Sequence, residues 1–240
     1  MNIQKSRLNV MSASVLACSI FAVLACFSAS SYAQDEMRVI DKSKIPATAR
    51  TLGEFVPKGW IIEQQTIGYV KDGDKFVVLK LIEDNPLTDL RNRAMVIVAM
   101  DDKGNLKNAG VAGKLLQCPG CGGAFYGIMD APADIKVDDG TIIIEQDGGS
   151  RWVWSEKYRF RFEPASGKFA LIGFDYNVRD RNTGQADSES TNYATGDRVT
   201  NGGKTKAKSV KTKVKVSTIY LDDVDHEKMA EEAGTRLGTN

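Results

Sequence analysis

The feature that most constrains the fold is a strict alternation of residue types near the middle of the chain. Five aromatic side chains of one parity occur there, namely Trp152, Trp154, Tyr158, Phe160 and Phe162. Basic side chains occupy the other parity, namely Arg151, Lys157, Arg159 and Arg161. Because successive side chains of a β-strand point to opposite faces, this pattern predicts a half-buried strand over positions 152–162 with its aromatic face in the core.

Short strand-like segments recur along the rest of the chain. We predict further strands near positions 60–69, 76–83, 94–100, 135–137, 141–146, 169–176 and 206–221. Turn signals such as Asp72-Gly73 and Ser166-Gly167 separate them, as in antiparallel hairpins. Only positions 225–237 have a helical composition. The sequence therefore predicts an all-β fold, an antiparallel meander in a propeller-like or sandwich arrangement, with a short C-terminal helix.

The first residues have the pattern of a secretory signal. Lys5 and Arg7 precede an apolar run without acidic residues over positions 10–27, and Ser31-Tyr32-Ala33 offers small residues where a signal peptidase cleaves. We interpret residues 1–33 as a removed signal and expect a periplasmic protein. One alternative is an uncleaved anchor, since the run is roughly long enough to cross a bilayer core of about 30 Å. Another is a lipoprotein anchored through Cys26, which ends the lipobox-like segment 23–26.

After the signal, we expect a flexible segment over 34–52, a single all-β domain over 53–224, and a helix with a tail over 225–240. The whole chain has 32 basic and 31 acidic residues, and the signal removes only Lys5 and Arg7. A nearly neutral mature chain lacks the concentrated basic surface that nucleic-acid binding needs, so we expect no nucleic-acid partner. No later apolar run is long enough for a transmembrane segment.

A row of lysines nearly alternates with valines towards the C-terminus, at Lys204, Lys206, Lys208, Lys211, Lys213 and Lys215. We interpret these lysines as the solvent face of an edge strand, where charge opposes mispairing. The alternative is a cationic stripe for anionic glycans or membrane surfaces.

Short motifs follow one another along most of the mature chain. They are Phe55-Val-Pro-Lys-Gly-Trp60, Cys121-Gly-Gly-Ala-Phe125, Gly148-Gly-Ser-Arg-Trp-Val-Trp154, Tyr158-Arg-Phe-Arg-Phe162, Leu171-Ile-Gly173 and Ser190-Thr-Asn-Tyr193. In this order they resemble a family of largely uncharacterised secreted or periplasmic proteins of Gram-negative bacteria, and Gly-Gly-Ser-x-Trp-x-Trp is the most specific motif. More distantly, the family is similar to envelope immunity proteins that inhibit peptidoglycan hydrolases, and to β-propeller-like domains with calcium-binding loops.

The resemblance implies an acidic calcium loop after the Pro-Lys-Gly-Trp strand, and this chain departs from it. The matching segment is Gly68-Tyr-Val-Lys-Asp-Gly-Asp-Lys-Phe76, with Tyr69 in place of the first acid and Lys71 near the next ligand position. Calcium needs several converging oxygens, and a lysine ammonium there competes with the ion. We therefore expect a lost metal site, no cofactor, and a hairpin turn at Asp72-Gly73.

Cys118 and Cys121 are the only cysteines left after removal of the signal. The Pro-Gly between them suits a type II turn, which brings the flanking Cα atoms within about 7 Å and into disulfide range. An oxidising compartment favours a structural disulfide. A redox centre remains an alternative, although Cys121 is followed by Gly122-Gly123 rather than by an activating helix. A zinc site needs about four ligands, and His226 is the sole histidine.

No residue is predicted to be catalytic. His226 alone does not complete a convincing Ser-His-Asp or Cys-His triad, and no spacing marks a pair of carboxylates for glycoside hydrolysis. Arg151 and Trp152 follow the flexible Gly148-Gly149, and arginine and tryptophan are frequent anchors of protein interfaces. We predict that these two residues bind a partner, which we expect to be an envelope protein or a cell-wall component.

The expected function is therefore binding. The distant resemblance motivates an inhibitor or immunity module for a cell-wall hydrolase. The alternative from another class is a thiol-redox factor or an envelope hydrolase that uses the Cys-Pro-Gly-Cys turn or a carboxylate pair.

The predicted signal cleavage site determines which residue we expect at the start of the mature protein. Because cleavage is expected after Ala33, mass spectrometry of the protein recovered from cells should find Gln34 at the N-terminus. A diacylated Cys26 at the N-terminus would instead identify a lipoprotein, and an intact leader would identify a membrane anchor.

Overall fold

The computed structural model describes residues 39–70, 75–85, 87, 90–202 and 209–239. Within these ranges the chain forms two antiparallel β-sheets and one α-helix. The strands of the first sheet are β1 (Thr48–Ala49), β2 (Trp60–Tyr69), β3 (Lys75–Glu83), β4 (Arg93–Met100) and β5 (Leu106–Ala112). The strands of the second sheet are β6 (Ala133–Asp138), β7 (Thr141–Gly149), β8 (Trp152–Glu163), β9 (Lys168–Asp180), β10 (Ala186–Asn192), β11 (Asp197–Asn201) and β12 (Val210–Lys213). The helix is α1 (His226–Leu237).

Both sheets are antiparallel meanders. The first sheet has the spatial order β1-β5-β4-β3-β2, and the second has the order β12-β11-β10-β9-β8-β7-β6. Strands that follow one another in sequence are therefore neighbours in a sheet, except that β1 pairs with β5. The prediction of an all-β antiparallel fold with a short C-terminal helix is confirmed.

The main core lies between the two sheets. Phe76 of β3 belongs to the same buried cluster as Tyr158, Phe160 and Phe174 of the second sheet. The rings of Phe76 and Phe169 meet edge to face across the core, with their centroids 5.1 Å apart. The two sheets thus form the layers of a sandwich.

The predicted parity of β8 is also confirmed. Tyr158 and Phe160 have no exposed surface, whereas Arg161 is exposed. On the outward face, Arg159 pairs with Asp175 of β9 at 2.5 Å. Because β8 pairs with β7 and β9 along its length, its aromatic stripe lies well inside the second sheet.

The first sheet is buried on both faces. Val77 and Leu79 point away from the second sheet, into another cluster that contains Phe55. Ile40 and Ile45, which precede the sheet in sequence, complete this cluster. Burial on both faces explains why β3 is apolar at the consecutive positions 76–79 rather than at alternate ones.

Residues 39–52 differ from the predicted flexible segment. They form a short 3-10 helix at Lys42–Lys44 and strand β1, and Ile40 and Ile45 are only 3% and 7% exposed. Their apolar residues are too few to form a periodic pattern, yet they dock this segment on the free face of the first sheet. Residues 1–38, which include the predicted signal, lie outside the described residues.

The sequence pattern missed β1, β5, β10 and β11. The last two are rich in Ser, Thr and Asn, and β10 buries Glu189 and Thr191 instead of apolar side chains. The predicted strand over 206–221 is wrong in extent, because its described part forms a strand only over β12, with an isolated bridge between Tyr220 and Ala170 of β9. Lys211 and Lys213 lie on β12, at an edge of the second sheet, whereas Lys204, Lys206 and Lys208 are outside the described residues.

Helix α1 is held by its caps and by an ion pair between its Arg236 and the buried Glu189. The Asp225 side chain accepts from the Lys228 backbone N–H at 3.4 Å, and Gly238 ends the helix in the left-handed region with φ 69°. Arg236 donates to both carboxylate oxygens of buried Glu189 on β10, at 2.6 and 2.7 Å. No helix in the described part of the chain is long and apolar enough to span a membrane.

The core assignment predicts the effect of truncating Phe160. Phe160→Ala should lower the free energy of unfolding by about 3–5 kcal/mol, because it removes a fully buried ring from the main core. Urea unfolding followed by tryptophan fluorescence measures the change. The matched control Arg161→Ala, one residue along on the outward face, should leave the free energy nearly unchanged. A well-tolerated Phe160→Ala would contradict the inward parity.

Candidate functional site

A cavity of about 450 Å³ lies at one end of the sandwich. At this end β4 and β8 begin and β5 and β9 end, and the start of α1 forms one side. The segment that follows β5 and leads to the two cysteines forms another side. We call this space the rim cavity and define it by Arg93, Gln117, Trp154, Glu156, Tyr176 and His226.

Glu156 is a buried carboxyl group on the inward face of β8, between Trp154 and Tyr158. It is 2% exposed. Gln146 Nε2 donates to Glu156 Oε2 at 2.7 Å, and the Tyr158 hydroxyl donates to the same oxygen at 3.0 Å. Burial nevertheless raises the pKa of Glu156 to about 7, because lost hydration disfavours the charged form more than these two hydrogen bonds favour it. The carboxyl group therefore changes charge near neutral pH.

His226 opens α1 and lies beside Glu156. Its Nδ1 is 3.8 Å from Glu156 Oε2. Burial lowers the pKa of His226, and the nearby charges of Glu227 and Asp225 act in the opposite direction. The imidazole is therefore neutral at pH 7. The backbone N–H of His226 donates to the Lys114 carbonyl at 2.9 Å, which joins the start of the helix to the opposite wall.

Gln117 lines the rim cavity and has an unsatisfied acceptor. Its Nε2 donates to the carbonyl oxygens of Pro132 and Asp147 at 2.6 and 2.8 Å, which fixes the orientation of the amide. The other amide atom, Oε1, is buried and has no hydrogen-bond partner among the described residues. A buried acceptor without a donor is unfavourable, and because Oε1 is fully buried, it is out of reach of a molecule in the cavity.

Arg93 fixes the wall to the first sheet. It is 4% exposed, and its Nε and NH2 donate to the two oxygens of Glu63 at 2.9 and 2.7 Å. Its NH1 donates to the Ala131 carbonyl at 2.7 Å and to the Gln117 carbonyl at 3.5 Å. Arg93 is thus an anchor whose charge is neutralised by Glu63 rather than a free cation.

The disulfide lies in the same wall. The structure places the sulfur atoms of Cys118 and Cys121 at disulfide distance, with their Cα atoms 5.1 Å apart. The predicted type II turn is wrong, because Pro119–Phe125 form a 3-10 helix in which Gly120 lacks the positive φ that a type II turn requires. The Cys121 N–H donates to the Cys118 carbonyl at 3.1 Å, as it would in either turn. The compact helical turn brings the cysteines together as effectively as the predicted turn.

The predicted binding residues Arg151 and Trp152 lie outside the rim cavity, at the hairpin between β7 and β8. Arg151 makes a two-point ion pair with buried Asp180, at 3.1 and 2.7 Å, and its guanidinium lies 5.8 Å from the Trp152 ring centroid. Gly149 permits this hairpin with φ 121°, since a Cβ there would lie 2.0 Å from the Trp152 carbonyl oxygen. Trp152 is 39% exposed. Binding of a partner here stays a prediction.

The loop for which we predict a lost calcium site includes residues 71–74, which lie outside the described residues. Gly68 and Tyr69 end β2, and Lys75 begins β3. Elsewhere in the described ranges, no group of three His, Cys, Asp or Glu side chains is placed to hold a metal ion.

Sequence analysis missed Glu156, Gln117 and the placement of His226. A signal for Glu156 was present, because it shares the parity of the aromatic residues of β8 and was therefore due to be buried. Gln117 and His226 carried no such signal. They reach the rim cavity through the chain path after β5 and through the docking of α1, which no local pattern encodes.

No protein-family model, curated protein or solved structure matches this chain. The family resemblance of its motifs therefore stays a prediction.

The raised pKa of Glu156 predicts how stability depends on pH. Between about pH 4.5 and 7, the folded protein retains a proton on Glu156 that the unfolded chain has lost, so stability from this group falls as pH rises. Glu156→Gln removes the titration. The variant should gain stability relative to wild type as pH rises, by roughly 3 kcal/mol above pH 8 compared with pH 4.

Urea unfolding of both proteins at several pH values measures this difference. His226 is present in both, so its own titration largely cancels. A stability difference that stays constant from pH 4 to 9 would show that the pKa of Glu156 is ordinary.

Proposed function

We propose that this chain is an exported binding protein of the bacterial envelope that holds a small polar molecule in the rim cavity, and that the molecule derives from the cell wall. The observation that carries this proposal is the buried carboxyl group of Glu156, which has no lysine or arginine partner among the described residues and lies in the wall of a cavity of about 450 Å³. No catalytic step is included.

The size and lining of the cavity support binding. Its volume of about 450 Å³ lies in the range of small-molecule sites. Trp154 and Tyr176 offer flat apolar surfaces, and Glu156 offers a hydrogen-bond acceptor. A few polar groups within an aromatic wall are typical of sites that fix the orientation of a ligand. A ligand that donates to the Glu156 carboxyl group would offset the cost of burying it.

The export pattern and the cysteine pair support a location outside the cytoplasm, where disulfides persist. A periplasmic protein meets wall fragments and wall enzymes directly. The narrower proposal, an inhibitor or immunity module for a wall hydrolase, would use Arg151 and Trp152 at the other surface. The ion pair of Arg151 with Asp180 holds that surface rigid, which lowers the entropic cost of docking a protein.

Two substitutions test whether the ligand binds in the rim cavity or at the Arg151–Trp152 surface. Ala230 of α1 lines the rim cavity, so Ala230→Met should occupy part of its volume without removing a polar group. Trp152→Ala should leave the cavity intact. With disaccharide–tetrapeptide fragments of purified cell wall as the probe, calorimetric titration should show saturable binding to wild type that Ala230→Met weakens by about tenfold or more. Trp152→Ala should bind as wild type does.

The opposite pattern would move the site to the Arg151–Trp152 surface. If wild type does not bind the fragments and instead inhibits a wall hydrolase, the immunity role would replace small-molecule binding as the function. Circular dichroism of both variants shows that a change in binding does not come from unfolding.

A further inference from the structure

The carboxyl group of Glu156 lacks the cationic partner that other buried carboxylates of this protein have. Buried Glu189 binds Arg236, and buried Asp180 binds Arg151. Among the described residues, no lysine or arginine nitrogen lies within 4 Å of Glu156, and its ionisable neighbours at that range are the Tyr158 hydroxyl and the His226 imidazole. A buried carboxylate without a cation is unfavourable, and a ligand that brings one would stabilise it.

The hydrogen bonds of Glu156 leave one oxygen for such a ligand. Gln146 and Tyr158 both donate to Oε2. Within the part of the chain that the structure describes, Oε1 accepts no hydrogen bond. Glu156 Oε1 is therefore available to a ligand that donates a hydrogen bond.

The aromatic residues favour a positive charge. Trp154 and Tyr176 line the rim cavity, and the negative face of an aromatic ring attracts ammonium groups. Among the described residues that line the cavity, arginine and lysine are both paired, so an anionic ligand would have no unpaired cation to bind. Arg93 is engaged by Glu63 and two carbonyl oxygens, and Lys114 Nζ lies 3.5 Å from Asp225.

Building on the proposed binding function of the rim cavity, we propose that its ligand is an organic ammonium ion whose protonated amine pairs with Glu156. The amine donates to Glu156 Oε1, and its alkyl part lies against Trp154 and Tyr176. Free amines and the amino groups of wall peptides share this chemistry.

Binding is then coupled to the ionisation of Glu156, because a protonated carboxyl group offers no charge to the amine. The ionisable groups near Glu156 are Tyr158, Tyr176, His226, Asp225, Glu227, Lys114 and Arg93. Burial raises the pKa of both tyrosines and lowers the pKa of His226, so all three are neutral above pH 7. Arg93 and Lys114 are paired with acids. Glu156, with a pKa of about 7, is the group that titrates in the physiological range.

Affinity for the amine should therefore rise with pH. An alkylamine keeps its proton up to about pH 10. Between pH 6 and pH 8, the charged fraction of Glu156 increases about tenfold for a pKa of about 7, and the association constant should increase by the same factor.

Butylammonium, 1-butanol and butyrate are matched probes with a positive, neutral and negative head group. NMR titration of the purified protein, followed at the tryptophan indole N–H signals, should give a clear preference for butylammonium at pH 8. Glu156→Gln should remove this preference and the dependence on pH, and it should stay folded because it gains stability at this pH. The control Glu145→Gln removes a carboxylate on the outward face of β7, where it pairs with Lys136 and Lys157, and should bind as wild type does.

Equal affinities for butylammonium and 1-butanol, or an unchanged affinity in Glu156→Gln, would overturn the amine proposal. If cell-wall fragments still bind wild type and fail with Ala230→Met, the proposed function stands while the amine proposal falls. If wild type binds neither butylammonium nor cell-wall fragments, both the amine proposal and the proposed function are refuted. Where butylammonium binds, acetylating the free amine of the fragment identifies the source: lost fragment binding points to wall peptides, and unchanged binding points to free amines.

Discussion

The guanidinium of Arg93 connects the parts of the molecule on which the rim cavity depends. It is buried at the start of β4, neutralised by Glu63 of β2, and bound to the carbonyl oxygens of Ala131 and Gln117. Since a buried charge is tolerated only when its donors are engaged, the segment between the two sheets has to pass close to this one group. The first sheet therefore positions a wall of the rim cavity, while Glu156, Trp154 and Tyr176 come from the second.

Local alternation was enough to predict β8 and its inward face, because a single sheet buries one parity and exposes the other. Tyr158 and Phe160 follow this rule. Strand β10 does not, since its inward positions include Glu189, whose partner Arg236 comes from α1. A polar residue that is buried by a distant partner looks like a surface residue in the sequence. For the same reason, the sequence did not reveal the docking of residues 39–52, where the isolated Ile40 and Ile45 pack on a face of the first sheet.

The candidate site was harder to foresee than the fold. The proximity of Cys118 and Cys121 followed from their spacing, but the type of turn did not, because Gly122 packs against Tyr126 and Ala131 in a way that local propensity does not reveal. Glu156 stood among aromatic residues of the same parity, so its burial could be predicted. Its meeting with His226 could not, because it depends on where the last helix docks.

The rim cavity is lined both by Val39, where the described chain begins, and by the first turn of α1, near its end. A chain that crosses a membrane with its N-terminus first delivers the first sheet, then the second, and the helix last. Until α1 has emerged and Arg236 has reached Glu189, one side of the cavity is missing. For the exported binding protein that we propose, ligand binding would thereby be restricted to the compartment in which translocation finishes.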